Sequence, residues 1–180
     1  MNNKYLLLLV FPLFFSLQAC NYSTQKNSSG NDQDSTAVDK AGLTFIKNVD
    51  EASQAEIKAA TVAEMTSKNP RVANFAHKLI KDYTDSQQKL QDIKAKASIT
   101  TASEISAADK KMIDSISKFS GSQFDQAFMK SVVDKSGQID VLFVNASQDK
   151  SRIISGYARK IMPALQIQLD SARKIAASLK

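Results

Sequence analysis

From Gly42 onward the apolar residues recur at alternating steps of four and three, the spacing that lays one stripe along an α-helix. Four long seams of this kind can be read. The first holds Phe45, Val49, Ala52, Glu56, Ala59 and Ala63. Asn69-Pro70 then marks a break, because Asn suits a helix N-cap and Pro the first helical position. The second seam holds Val72, Ala76, Leu79, Tyr83, Ser86, Leu90, Ile93 and Ala97. Residues 98–106 are rich in Ser and Thr and read as a loop. Ser106-Ala-Ala-Asp109 has the form of a capping box and predicts a short helix to about Phe119. Ser120-Gly121 interrupts, and Ser122-Gln-Phe-Asp125 repeats the box, predicting the start of the next long helix. Its seam is Met129, Val132, Ser136, Ile139, Phe143 and Ala146. The last helix follows a turn at residues 145–149 and carries Ile154, Ala158, Ile161, Leu165, Gln168, Ala172, Ile175 and Leu179. Pro163 should kink it, and Gly156 should weaken it further.

The first and last connections are short, so each pair of long helices should form an antiparallel hairpin. The connection at roughly 98–121 is long enough to cross the bundle. Two hairpins joined by one crossover predict an all-α, ferritin-like four-helix bundle with a short extra helix in the crossover. Each seam runs only about 25 residues before a breaker, which favours a compact bundle over a long coiled coil. Composition agrees. Five Gly, three Pro and no Trp in 180 residues argue against a sandwich or barrel, and the length suits one well-buried domain. One Cys and one His leave no internal disulfide framework and no zinc site of the usual Cys/His kind.

The single Cys has a different meaning. Lys4 precedes an apolar run from Tyr5 to Leu17, about 13 residues where a membrane-spanning helix needs about 20, so residues 1–19 read as a signal peptide. The run ends in Leu17-Gln18-Ala19-Cys20, which resembles the bacterial lipobox. That resemblance implies cleavage before Cys20, diacylglycerol on its sulfur and acylation of the new amine. Two or three acyl chains hold a protein stably on a membrane where one does so only marginally. Residues 20–40 then form the lipidated Cys and a flexible tether, since residues 21–40 contain only Tyr22, Ala37 and Val38 as apolar side chains. Asn21, rather than Asp, points towards the outer membrane. The expected address is the cell envelope, facing the periplasm or the cell surface, with residues 41–180 as the bundle.

Each long seam is interrupted near its middle by one polar side chain: Glu56, Tyr83, Ser136 and Gln168. Antiparallel helices of similar length bring their midpoints to similar heights, so the four are candidates for one polar layer. Three readings are open: a hydrogen-bonded structural layer, a small-ligand pocket, and a metal site. One carboxylate with a phenol, a hydroxyl and an amide is a poor donor set for iron, manganese or zinc, which favours the first.

Ala55-Glu56-Ile57, Val72-Ala-Asn-Phe-Ala76 with Asp82-Tyr83, Ser122-Gln-Phe-Asp125 with Phe128-Met129, and Met162-Pro163-Ala-Leu-Gln166 with Leu169 form an ordered set of segments. Together they resemble the bacterial ferritin-like proteins of unknown function often labelled outer-membrane or periplasmic proteins. The similarity covers about residues 41–180. In that family histidines commonly stand where this chain has Tyr83, Ser136 and Gln168, while Glu56 is retained. The resemblance brings no established reaction with it.

Charge adds a last candidate. Lys and Arg number 24 against 18 Asp and Glu, a formal net charge of +6. Arg152, Arg159, Arg173 and Lys180 fall on multiples of seven and predict one basic stripe on the last helix. It is either a solvated face or a contact for anionic lipid or envelope polysaccharide. No aromatic-basic module for nucleic acid is present. His77, one step off its seam, is expected at the surface, and no phosphate loop or catalytic triad signature occurs. The expected function is therefore a lipid-anchored envelope protein whose bundle is a non-catalytic binding or structural module without a cofactor. The alternative is a metal-handling or small-ligand-binding protein that uses the polar layer.

Overall fold

The computed structural model describes residues 37–179. The expected signal segment, Cys20, most of the tether and Lys180 lie outside the described residues. Among the described residues five helices form: α1 (Lys40–Thr66), α2 (Pro70–Lys96), α3 (Ala107–Ile116), α4 (Gly121–Ala146) and α5 (Arg152–Ala177). The fold is all-α, and among the described residues no helix is long and apolar enough to cross a membrane.

Helix starts follow local chemistry. Asp39 Oδ1 accepts from the Gly42 amide at 3.0 Å, and Asn69 Oδ1 accepts from Arg71 at 3.0 Å with Pro70 first in α2. The N-cap half of the α3 box forms, with the Asp109 amide donating to Ser106 Oγ at 3.0 Å, while the Asp109 carboxylate accepts from the Ser106 hydroxyl at 2.9 Å. The second expected box does not. Helix α4 opens at Gly121, whose φ of +56° a side chain would resist, and Ser120 makes no side-chain cap. Asp125 is turned away from Ser122 because it accepts from Ser67 Oγ, beyond the end of α1, at 2.6 Å. Helix α2 ends on Ser98 in the left-handed region, with Ile99 N–H bonded to Lys94 O and Ser98 N–H to Ala95 O, a Schellman closure. Helix α5 continues through Pro163 in one piece, one ladder bond short at the Arg159 carbonyl.

Direction follows from the end contacts. The start of α1 packs on the end of α4, with Phe45 and Phe143 ring centroids 5.2 Å apart, and Ser67 meets Asp125 at the other end. Arg71 at the start of α2 bonds Ser178, just past α5. Helices α1 and α4 are thus antiparallel, as are α2 and α5. The order is up, down, down, up, with residues 97–120 running back along the bundle and α3 packing on α1 and α4. Gly42 permits close approach at one end, since a Cβ there would lie 2.7 Å from Val38 Cγ1 and 3.1 Å from Ile154 Cγ1.

Every residue of the first and third predicted long seams is buried. Tyr157 joins Phe45 and Phe143 in an aromatic cluster and reaches Ser86 of α2 with its hydroxyl, 2.8 Å from Ser86 Oγ. Beside this cluster lies a buried ion pair that the seams do not contain: Lys94 Nζ donates to Asp50 Oδ2 at 3.0 Å. Gln54 bonds the other Asp50 oxygen at 3.3 Å and the Ser103 carbonyl at 2.9 Å, tying the crossover to α1.

A buried charge stripped of its partner is costly, whereas an apolar replacement of both is nearly neutral. Lys94→Met should lower the unfolding free energy by about 3 kcal/mol, and Asp50→Leu combined with Lys94→Met should recover most of it. Urea denaturation of the two variants checks this.

Candidate functional site

The four mid-seam residues come from α1, α2, α4 and α5, and all are buried, Glu56 to 1 % exposure. Gln168 Nε2 donates to the Tyr83 hydroxyl at 3.1 Å, joining α5 to α2. Ser136 Oγ faces the same hydroxyl and contributes to its electrostatics, but its geometry falls short of a hydrogen bond. Glu56 is near enough that its charge would act on the phenol. Its Oε2 has no hydrogen-bond partner among the described residues.

Burial dominates the chemistry here. It lifts the Glu56 carboxyl from 4.5 to about 8; the positive charge of Lys135 works against this and the negative charge of Asp109 with it. Lys135 cannot neutralise Glu56 by contact, because its ammonium is paired with Asp109, whose other oxygen accepts from Ser106 Oγ at 2.9 Å. At neutral pH Glu56 is a neutral acid. The Tyr83 phenol is likewise driven upward by burial first and by the Glu56 charge second, and its bond from Gln168 offsets part of this. It stays protonated at neutral pH.

As an assembly of donors, the layer offers one carboxyl, one phenol, one hydroxyl and one amide. Among the described residues no three His, Cys, Asp or Glu side chains converge where a metal ion could sit. His77 lies away from the layer, exposed, with Nδ1 2.7 Å from Glu64 Oε1.

The layer opens on one side. Between α2 and α5 lies a cavity of about 240 Å³ whose walls include Tyr83 and Gln168 but neither Glu56 nor Ser136. Its walls also include the buried Val49 and Ala52 of α1 and Ile139 and Phe143 of α4. Sequence reasoning placed the four polar residues at one height and did not find the cavity. Its signal was indirect: Pro163 precedes the α5 residues Ala164, Leu165, Ile167 and Gln168 that line it.

The basic stripe is partly committed to the fold. Arg159 donates to the Ser147 carbonyl from Nε at 3.0 Å and Nη2 at 2.8 Å, satisfying a carbonyl just past the end of α4. Arg173 lies 3.8 Å from Asp170, and Arg152 is exposed in the first turn of α5. Lys180 lies outside the described residues.

Because the folded state holds the Glu56 proton to higher pH than the unfolded chain does, stability contributed by this group is full below pH 4.5 and is lost as pH rises through 8. Relative to Glu56→Gln, the parent should lose roughly 3 kcal/mol between pH 5 and pH 8. Urea unfolding of both proteins across that range measures the difference; parallel curves would contradict it.

A family model described as a domain of unknown function (DUF4142) matches residues 27–175. No curated protein and no solved structure matches the chain.

Proposed function

The chain belongs to the family described as a domain of unknown function (DUF4142), and from that premise we propose that it is an exported, lipid-anchored envelope protein carrying a ferritin-like bundle as a non-catalytic binding or structural module. The observation that carries the anchor is Leu17-Gln18-Ala19-Cys20, with the sole Cys of the chain on the lipidated position. Acyl chains on Cys20 would hold the protein on a bilayer without a spanning helix. Asn21 directs the proposal to the outer membrane, and residues 21–40 would let the bundle stand off the surface.

The ferritin-like assignment rests on the up-down-down-up order with a single crossover along the bundle. The non-catalytic reading rests on the layer itself. Its only carboxyl is held neutral by burial, its phenol is pushed away from ionisation, and no imidazole lies beside them. A donor set with one carboxyl suits hydrogen bonding and register better than metal chemistry. Since Arg159 serves the end of α4, membrane attachment is assigned to Cys20 rather than to the basic stripe.

Cys20→Ser decides the anchor. The variant should lose metabolic fatty-acid labelling and move from the membrane to the soluble fraction of its host, and labelling that persists in the variant would refute the proposal.

A further inference from the structure

The cavity between α2 and α5 has the construction of a ligand site. Helices α2 and α5 touch over less of their length than the partners within either hairpin, and the gap penetrates to α1 and α4. Val49, Ala52, Ile139, Phe143, Ile161 and Leu165 make its walls apolar. Five of these six are buried and belong to the core, so an occupant would rest on core side chains, not on a surface groove.

Two features select the occupant. The polar groups of the wall are the Gln168 amide and the hydroxyls of Tyr83, Ser53 and Ser86. Ser53 donates to the Val49 carbonyl, Ser86 is bonded to Tyr157 and Tyr83 accepts from Gln168, which leaves the Gln168 amide with the most unused capacity. One of its N–H groups is bonded to Tyr83, and its carbonyl oxygen and second N–H have no protein partner among the described residues. Gln168 is itself 7 % exposed, so its amide is set within the fold and not on an open surface. Ion pairs take up most of the charge at the rim: Lys78 is paired with Asp82, Lys81 with Asp85, and Lys89 stands near Asp85. Ile167, 66 % exposed, adds an apolar lip. The charged side chains stand at the rim and the core walls are apolar, so an ion of either sign finds nothing inside the cavity that would repay its desolvation. Size sets the last limit. An apolar cavity of about 150 Å³ accepts benzene, so one of about 240 Å³ accommodates about ten non-hydrogen atoms.

We infer that the α2–α5 cavity binds a small, neutral, mostly apolar molecule of about ten non-hydrogen atoms bearing one hydroxyl or carbonyl group, which hydrogen-bonds the Gln168 amide. This deepens the binding-module reading and is independent of the anchor: fatty-acid labelling tests one and ligand titration the other, so either can fail alone.

The test uses the full chain with 2-naphthol, a neutral probe of that size with one hydroxyl, followed by the methyl resonances of Ile139 and Ile161. Naphthalene and 2-naphthoate serve as comparators. Partition of a probe into detergent is the same for every variant and cancels in the comparison. 2-Naphthol should shift both methyls saturably. Ala164→Phe, at an exposed position on the rim, should weaken 2-naphthol and naphthalene alike by about tenfold or more through steric blocking. Gln168→Leu should weaken 2-naphthol by about fivefold, the value of one hydrogen bond, and leave naphthalene unchanged or tighter. Should Gln168→Leu not fold, Ala164→Phe decides occupancy and the 2-naphthoate comparison decides the ligand class. No saturable shift, binding indifferent to Ala164→Phe, or tighter binding of 2-naphthoate than of 2-naphthol overturns the inference.

Discussion

A carboxyl group enclosed by four helices must either meet a cation or keep its proton, and Glu56 keeps its proton. The nearest cation in the electrostatics, Lys135, is bound to Asp109, which fastens α3 to α4. Placing the acid in the core therefore constrains its neighbours: they must be neutral, protonated and able to share hydrogen bonds. Tyr83 and Gln168 meet those terms through their mutual hydrogen bond, and Ser136 supplies a neutral hydroxyl. With one such residue on each long helix, a shift of any helix by one turn would bury a polar group against apolar walls. A layer of this kind would fix register at a level where apolar seams alone, built largely of Ala, Val and Ile, would tolerate sliding.

The same constraint shapes what the bundle can do. Among the described residues the layer offers a metal ion a single carboxyl. It can present oriented hydrogen-bonding groups to an apolar space, and the gap between α2 and α5 supplies that space next to Tyr83 and Gln168. The two ends of the bundle are closed by other means. Phe45, Phe143 and Tyr157 pack at one end with the Asp50–Lys94 pair beside them, and Ser67, Asp125, Arg71 and Ser178 link the helices at the other.

Most of the fold was legible because it rests on periodicity and capping, which are local. Phe45 to Ala63 and Met129 to Ala146 are buried as their spacing predicts, and Asn69-Pro70 and Ser106 to Asp109 start helices where their chemistry says they should. The Ser122 box was misread for a non-local reason: Asp125 is claimed by Ser67 across the bundle, a contact no window of sequence contains. Asp50 and Lys94 were missed because each flanks its seam beside a stronger apolar neighbour, Val49 and Ile93. Arg159 looked like part of a surface stripe, yet its guanidinium satisfies the Ser147 carbonyl. The four polar residues were visible as interruptions of the seams. The cavity beside them was not, because it depends on how far apart α2 and α5 stand.

The account turns on the protonation of Glu56, and side-chain carboxyl labelling gives the most direct view of it. In protein carrying carbon-13 at the Glu carboxyl, the infrared difference between parent and Glu56→Gln at about pH 7 isolates this one group. A protonated-acid carbonyl band that converts to carboxylate only as pH passes about 8 is the predicted result. A carboxylate band already complete at about pH 6 would show that Glu56 is ionised in the core, and would contradict the neutral layer from which the rest is argued.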